Sequence, residues 1–357
     1  MENKMKGIMN FFRKPLVKYV FKRIFSSMIT LFFIITATFL MLRMMPKDKY
    51  IDKQILQKIP AESRESYKWN TWEKLGLNDP LWKQLGTYYY NVLPFPKDVC
   101  VQDRYVENYT KIECVKYEKV TVNFGTSLVV RKGKPVTEFI AEKFPISFLI
   151  SILALTISYI IGYPLGVLMA KGKGGVLDWA GNGYIIMTFA VPGLVFYYLW
   201  FIIAMKMNLP SFFAVDNPLT WITPVWSIAF LSIGGRAMWM RRFMVSELNT
   251  DYVKFARSKG LSENRIMFTH VFRNAFVPLV RNVPAALIFA MVGSYFVETL
   301  FTIPGSGRLL ITSLQKIDNP LVQGLVIVYS GMSMAAFLLG DLITVFFDPR
   351  ISLTHNK

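Results

Sequence analysis

Residues 24–45 read IFSSMITLFFIITATFLMLRMM, with a single charge, at Arg43. Crossing ~30 Å of hydrocarbon takes about 20 apolar residues. Lipid offers no water to the backbone, so such a segment must satisfy its own N–H and C=O groups, as a helix does. Five further stretches fit the same rule: Pro145 to Ala170, Tyr184 to Met205, Thr220 to Met240, Phe276 to Leu300 and Leu321 to Phe347. Pro224 and Gly234-Gly235-Arg236 interrupt the fourth. The expected fold class is all-α integral membrane, with about six transmembrane helices. Composition agrees: 53% of residues are hydrophobic and 18% charged, against roughly 25% charged in a soluble domain.

The net charge of +18 raises nucleic acid as a ligand, but its placement excludes it. Lys4, Lys6, Arg13, Lys14, Lys18, Lys22 and Arg23 precede or open the first span. Arg241, Arg242, Lys254, Arg257, Lys259, Arg265 and Arg273 fill the loop between the fourth and fifth, and Lys171 and Lys173 follow the second. The positive-inside rule puts these in the cytoplasm, and six spans then leave both termini there. The first apolar run is too long for a cleavable signal and lacks a small-residue cleavage site, so it is expected to stay as the helix that starts insertion. The expected organisation is a basic cytoplasmic N-terminus (1–22), helix one (23–45), an extracytoplasmic insert (46–144), a core with helices two to six (145–347, its connecting loop 241–275) and a cytoplasmic tail (348–357).

The insert holds both cysteines, Cys100 and Cys114. An oxidising outer face allows a disulfide between them, and two free thiols are the other reading. Trp69, Trp72, Trp82 and Tyr88-Tyr89-Tyr90 fit either an interfacial aromatic belt or a folded insert. The alternation at Val120–Phe124 and Ser127–Val130 allows short strands.

Signals for catalysis are poor. No Gly-Lys-Ser/Thr phosphate loop, HExxH, metal-spaced cysteine pair or Gly-x-Ser-x-Gly is present, and the only histidines are His270 and His355. Gly172-Lys-Gly-Gly lacks the buried strand that a nucleotide loop needs. The chain is therefore expected not to be an enzyme and to hold no metal. Ionisable residues within spans are costly and usually functional. Here they are Arg236, Glu298 and Asp341, too few for a convincing proton relay. Glu298 is expected to hold the loop that follows it, and Asp341 to pair with a basic residue of another helix or face the bundle interior. The helix breakers Gly162, Pro164, Gly166, Pro192, Gly193 and Pro284 fit either close packing or a pathway that opens alternately.

The loop 241–275 carries the most specific pattern, at Asn249-Thr-Asp-Tyr-Val-Lys-Phe-Ala-Arg-Ser-Lys-Gly-Leu-Ser-Glu-Asn-Arg265. Thr250 or Asp251 is placed to cap a helix of about two turns, Tyr252 to Lys259. Gly260 suits the left-handed position that ends it, and Arg257 and Lys259 suit its negative end. Ser262 is placed to cap a second helix. An amphipathic loop on anionic lipid would explain the charge but not this sequence of cap, helix, glycine and cap, which points to a docking element.

At these residues the chain resembles the permease subunits of ABC-type importers, and most closely their oligopeptide and dipeptide branch. Lys254, Phe255, Ala256 and Gly260 stand at the positions of the family's Glu-Ala-Ala-x-x-x-Gly, and only Ala256 and Gly260 agree. The peptide-branch form, Asp-Tyr-Val-x-x-Ala-Arg-x-Lys-Gly-Leu-Ser, is met by Asp251, Tyr252, Val253, Ala256, Arg257, Lys259, Gly260, Leu261 and Ser262. Asn123-Phe-Gly-Thr-Ser, Pro135-Val, Val297-Glu-Thr-Leu-Phe-Thr-Ile-Pro-Gly-Ser-Gly-Arg-Leu309 and Asp348-Pro-Arg are similar to other family segments. The insert from Pro46 to Val122 matches less well.

The resemblance implies a type I importer permease fold and import of oligopeptides driven by ATP. It implies a second homologous permease subunit, two cytoplasmic ATPase subunits that bind ATP and Mg, and an extracytoplasmic peptide-binding protein. This chain itself would carry no cofactor. It would lie in a bacterial plasma membrane, in contact with lipid, as a multi-pass protein. Its coupling helix would comprise Asp251, Tyr252, Val253, Lys254, Ala256, Arg257, Lys259, Gly260 and Leu261. The substrate-binding residues are unknown from sequence. The alternatives are a permease of the same branch for another solute, such as nickel or a sugar, and a self-sufficient ion-coupled carrier or channel.

Overall fold

The computed structural model describes residues 15–51, 53–106, 111–280, 282–289 and 294–347. Lys4, Lys6, Arg13, Lys14, Asp348-Pro-Arg and His355 lie outside the described residues. The chain divides into two units. One is drawn from Met1–Ser27, Phe144–Arg308 and Met332–Lys357, the other from Met28–Lys143 and Leu309–Gly331.

Among the described residues, three helices are long and apolar enough to cross a membrane: Val20–Arg43, Val136–Lys171 and Asn319–Asp341. They carry the first, second and sixth expected spans. The third expected span is not one rod. Helices Val176–Ala190 and Gly193–Lys206 meet at 107°. Pro192 pushes the residue before it out of the helical region, and Val191 is extended at φ −83°, ψ 122°. The fourth, expected to be interrupted, is a continuous 30-residue helix, Leu219–Leu248, with Pro224 inside it.

The fifth expected span is described only in part. It is built from helices Phe272–Val280, Val283–Phe289 and Tyr295–Leu300, with residues 281 and 290–293 outside the description. Pro284 is the second residue of its helix. A missing N–H costs nothing there, so the proline starts a helix rather than kinking one.

In the first unit, Gly162 and Gly166 sit four apart in helix Val136–Lys171, which runs unbroken through Pro145 and Pro164. A Cβ on Gly162 would come within 2.6 Å of Arg236 Cβ, and one on Gly166 within 2.6 Å of the Ala237 carbonyl oxygen. Helix Leu219–Leu248 thus approaches at backbone distance, which only small residues permit. Gly166→Ala is expected to cost about 1–3 kcal/mol by overpacking. A lower midpoint of thermal unfolding in detergent would check this, and an unchanged midpoint would show that the crossing tolerates a methyl group.

In the second unit, helix Leu81–Val92 packs on the first apolar helix. The Tyr89 and Thr36 hydroxyls are 2.6 Å apart. Tyr89 stacks on Phe32, and Tyr88 on Phe39, both with ring centroids 5.2 Å apart. These two tyrosines are packing residues, whereas Trp69 and Trp82 are exposed. Lys97 is buried, and its ammonium donates to the carbonyls of Tyr90, Asn91 (2.8 Å) and Leu93 (2.9 Å), closing the end of that helix. Burial pushes its pKa down.

The strands lie earlier than the sequence suggested. Strands β1 (Lys97–Val106) and β2 (Lys111–Val120) form an antiparallel pair running from Lys97↔Val120 to Val106↔Lys111. A disulfide joins Cys100 of β1 to Cys114 of β2, with Cα atoms 5.9 Å apart. Of the expected strand at 120–124 only Val120 pairs, as the last residue of β2, and 127–130 forms no strand; a lone bridge, Thr126↔Pro135, lies between and beyond them. Their backbone is used differently. The fully buried Asp318 carboxylate accepts from the Ser127 hydroxyl (2.5 Å) and from the N–H groups of Leu128, Val129 and Val130 (2.9–3.0 Å). A carboxylate satisfied by that many donors fixes the turn firmly.

Candidate functional site

The segment after helix Leu219–Leu248 forms the short helix expected of it, Asp251–Ser258. Its inner face is set by Val253 and Ala256, both buried against Met240, Met244, Ile266 and Val271. Removing the Val253 side chain from water contributes roughly 1.5–3 kcal/mol, so the helix is held down by packing rather than by propensity. The expected side-chain caps do not form. Thr250 stands at the N-cap in extended geometry, but its hydroxyl donates to the Glu247 carbonyl (2.6 Å). Asp251 pairs with Lys254 at 2.8 Å on the exposed side. Ser262 likewise makes no capping bond.

The stop is well defined. Gly260 has φ +76°. Its N–H donates to Arg257 O (2.9 Å), and the N–H of Leu261 donates to Ala256 O (3.3 Å). These are the paired bonds of a Schellman turn, and Leu261 packs against the same apolar cluster as Ala256. Arg257 bridges the turn, with Nε and Nη2 donating to the two Glu263 oxygens at 2.7 and 3.2 Å. That guanidinium holds the Glu263 carboxyl below its ordinary range. Beyond the turn, Glu263–Arg265, a π-helical stretch Ile266–Val271 and Phe272–Val280 follow without a break.

The outer face of helix Asp251–Ser258 carries Tyr252, Lys254, Phe255 and, just past its end, Lys259. The Tyr252 hydroxyl donates to Glu247 (2.6 Å), and the Lys259 ammonium lies 4.5 Å from the centre of the Phe255 ring. Phe255 is 61% exposed. Phe255 stands outside the set that the resemblance implied, although its neighbour Lys254, which departs from the family pattern equally, stands within it. The spacing is the available signal: Phe255 lies three residues from Tyr252 and four from Lys259, on a face about 100° round the helix from Val253 and Ala256.

Towards the C-terminal end of helix Leu219–Leu248 the structure also holds a clasp that no sequence pattern signalled. Arg241, noted only as a basic residue, donates from Nε and Nη2 to both oxygens of the buried Asp178, at 2.5 and 2.7 Å. Asp178 also accepts from Asn182 Nδ2 (3.1 Å) and from Gly174 N–H (2.9 Å). The glycine turn at 172–175 therefore gives an N–H to a side chain of this chain. The residues are 63 positions apart, and no local spacing signals the pair.

The ionisable residues within spans are accounted for as follows. Glu298 is buried and does hold the following loop: it accepts from the Ser147 hydroxyl and the Arg308 N–H, both at 2.7 Å. A Cβ on Gly305 would lie 2.3 Å from its carboxyl carbon, so only glycine fits there. Asp341 pairs with Arg23 at 3.1 Å. The Arg236 guanidinium lies over the Tyr159 ring, 4.6 Å from its centre.

Residues 162–353 match the family model described as binding-protein-dependent transport system inner membrane component. The oligopeptide transport system permease protein AmiC of Streptococcus pneumoniae is 36% identical over 213 residues, which are 59% of this chain and 43% of AmiC. The chain thus spans less than half the length of that relative. The dipeptide transport system permease protein DppB of Lactococcus lactis is 28% identical over 343 residues, 95% of this chain and all of DppB. The peptidoglycan transport system permease protein YejB of Agrobacterium fabrum is 31% identical over 256 residues, 66% of this chain and 70% of YejB. Residues 162–353 include the helix Asp251–Ser258, its Gly260 turn and the Arg241–Asp178 clasp. The chain is an all-α integral membrane protein, with a single two-stranded hairpin among its described residues, and it belongs to the family of inner membrane components of binding-protein-dependent transport systems.

Proposed function

We propose that the chain is a membrane-spanning subunit of an ATP-driven importer that takes peptides into the cell. In this reading it pairs with a second, homologous permease. Two ATPase subunits bind ATP and Mg on the cytoplasmic side, and a binding protein delivers peptide from outside. Both termini and the loop 241–275 face the cytoplasm. Helix Asp251–Ser258 with its Gly260–Leu261 turn is the coupling element, seated in a groove of one ATPase subunit.

The observation that carries this reading is the two-sided build of that helix. Val253 and Ala256 anchor it in the chain's own core, while Tyr252, Phe255 and Lys259 leave an aromatic and cationic face exposed. A helix fixed along one face and offering a contact face along another transmits a push as a rigid body. Peptide as cargo is supported by the similarity to AmiC and DppB, permeases of an oligopeptide and a dipeptide transport system. Deleting the gene is expected to abolish uptake of a radiolabelled pentapeptide, and the wild-type chain to restore it. Uptake of peptide unchanged by deletion, with nickel or a sugar lost instead, would replace the cargo assignment.

A further inference from the structure

The second unit contains a cleft of about 1480 Å³, larger than the ~300–1,000 Å³ of ordinary small-molecule sites. Nothing in the coupling mechanism uses it. Its walls are fixed by independent devices. The hairpin that supplies Val99, Tyr117 and Glu118 is closed by the Cys100–Cys114 disulfide. The segment from Asn123 to Pro135 is clamped by Asp318. Helix Arg64–Lys74 is anchored by the buried Tyr67 and Thr71.

The lining mixes both signs of charge with aromatic rings: Lys49 and Glu73, Glu118, Tyr50 and Tyr117. Two-sign lining suits a ligand that carries an amino and a carboxylate terminus. β1 and β2 make a sheet of only two strands. Among the described residues neither strand pairs with a third, so an added strand would pair along the hairpin's outer edge. Edge addition recognises any extended chain through its backbone, independent of its side chains.

We propose that this cleft is a peptide-binding site of the permease itself, holding a short extended peptide before it enters the membrane path. The site takes the peptide's termini on its charged groups, apolar side chains on Tyr50 and Tyr117, and the peptide backbone at the hairpin edge. This rests on the reading of the chain as a peptide importer, with residues 46–144 outside the cell.

The test uses the full chain in nanodiscs, co-purified with its partner subunits. The probe is a pentapeptide of four alanines and one benzoylphenylalanine. After illumination, label is expected on the segments around Lys49–Tyr50, Val99–Cys100 and Tyr117–Glu118. Excess pentaalanine is expected to cut that label about tenfold. Lys49→Glu and Tyr117→Ala, both surface changes, are expected to lower it while the complex still assembles. Label confined to other segments, or indifferent to pentaalanine, overturns the proposal. So does protection of these segments by the peptide-free binding protein with no label from the probe.

Uptake of pentaalanine by cells separates the two readings. Chain-dependent uptake without label in the cleft overturns the cleft and leaves the importer standing. Label in the cleft without chain-dependent uptake keeps the site and removes the importer reading.

Discussion

Arg241→Ala is expected to cost the fold about 3 kcal/mol, the low end of the ~3–5 kcal/mol lost on breaking a buried ion pair. The low end applies because the Arg241 side chain is 24% exposed while Asp178 is at 5%. The loss arises mostly at Asp178, which would keep only the Gly174 N–H and the Asn182 amide as donors. Asp178→Asn removes the buried charge instead and should be milder. The neutral double variant, Asp178→Asn with Arg241→Ala, should recover part of the loss, since a buried ion pair is often replaceable when both charges leave together. Thermal unfolding of the four proteins in one detergent forms a double-mutant cycle. A coupling of about 2 kcal/mol is within the ~0.5–3 kcal/mol found for contacting residues. Strict additivity of the two single changes would show that the contact is incidental.

The clasp also shows what kind of information the sequence carries. The helix Asp251–Ser258 was legible because its determinants are neighbours: an N-cap threonine, apolar residues three apart and a glycine at the stop. Even there, the expected capping bonds gave way to a competing local acceptor, the Glu247 carbonyl. Glu298 was legible as a loop holder because a carboxyl beside a Pro-Gly-Ser-Gly segment has backbone N–H groups within reach. Asp178–Arg241 and Asp318 were not legible, since their partners lie 63 and about 190 residues away. The prolines were seen but not their consequence. Pro192 and Pro284 each allow a kink within a span or a new helix start, and only tertiary packing decides which. The strands were displaced for a related reason. Alternation at 127–130 looks like a strand, but its N–H groups went to a carboxylate no local pattern foretells.

On the importer reading proposed above, Gly260→Val is expected to leave the complex assembled and the ATPases active while peptide uptake falls by about tenfold or more. Space is not the issue, since a Cβ at Gly260 would meet nothing within 4 Å. Conformation is. At φ +76° a side chain costs roughly 1–2 kcal/mol, and a β-branched one is the least tolerant. That strain favours opening of the turn by about tenfold for each 1.4 kcal/mol. Opening would release the Leu261 N–H from Ala256 and draw Arg257 away from Glu263, freeing the end of the helix while Val253 still anchors its start. A helix hinged rather than fixed swings in its groove instead of carrying the motion to Ile266–Val271. Gly260→Asn is the matched control, because asparagine accepts the left-handed conformation with little cost. It should retain most of the uptake. Coupled uptake and hydrolysis in the valine variant equal to those of the parent would remove the turn from the mechanism. Loss in both variants alike would assign the effect to the added side chain at the docking surface rather than to the backbone, so the pair of substitutions separates a geometric role for Gly260 from a steric one.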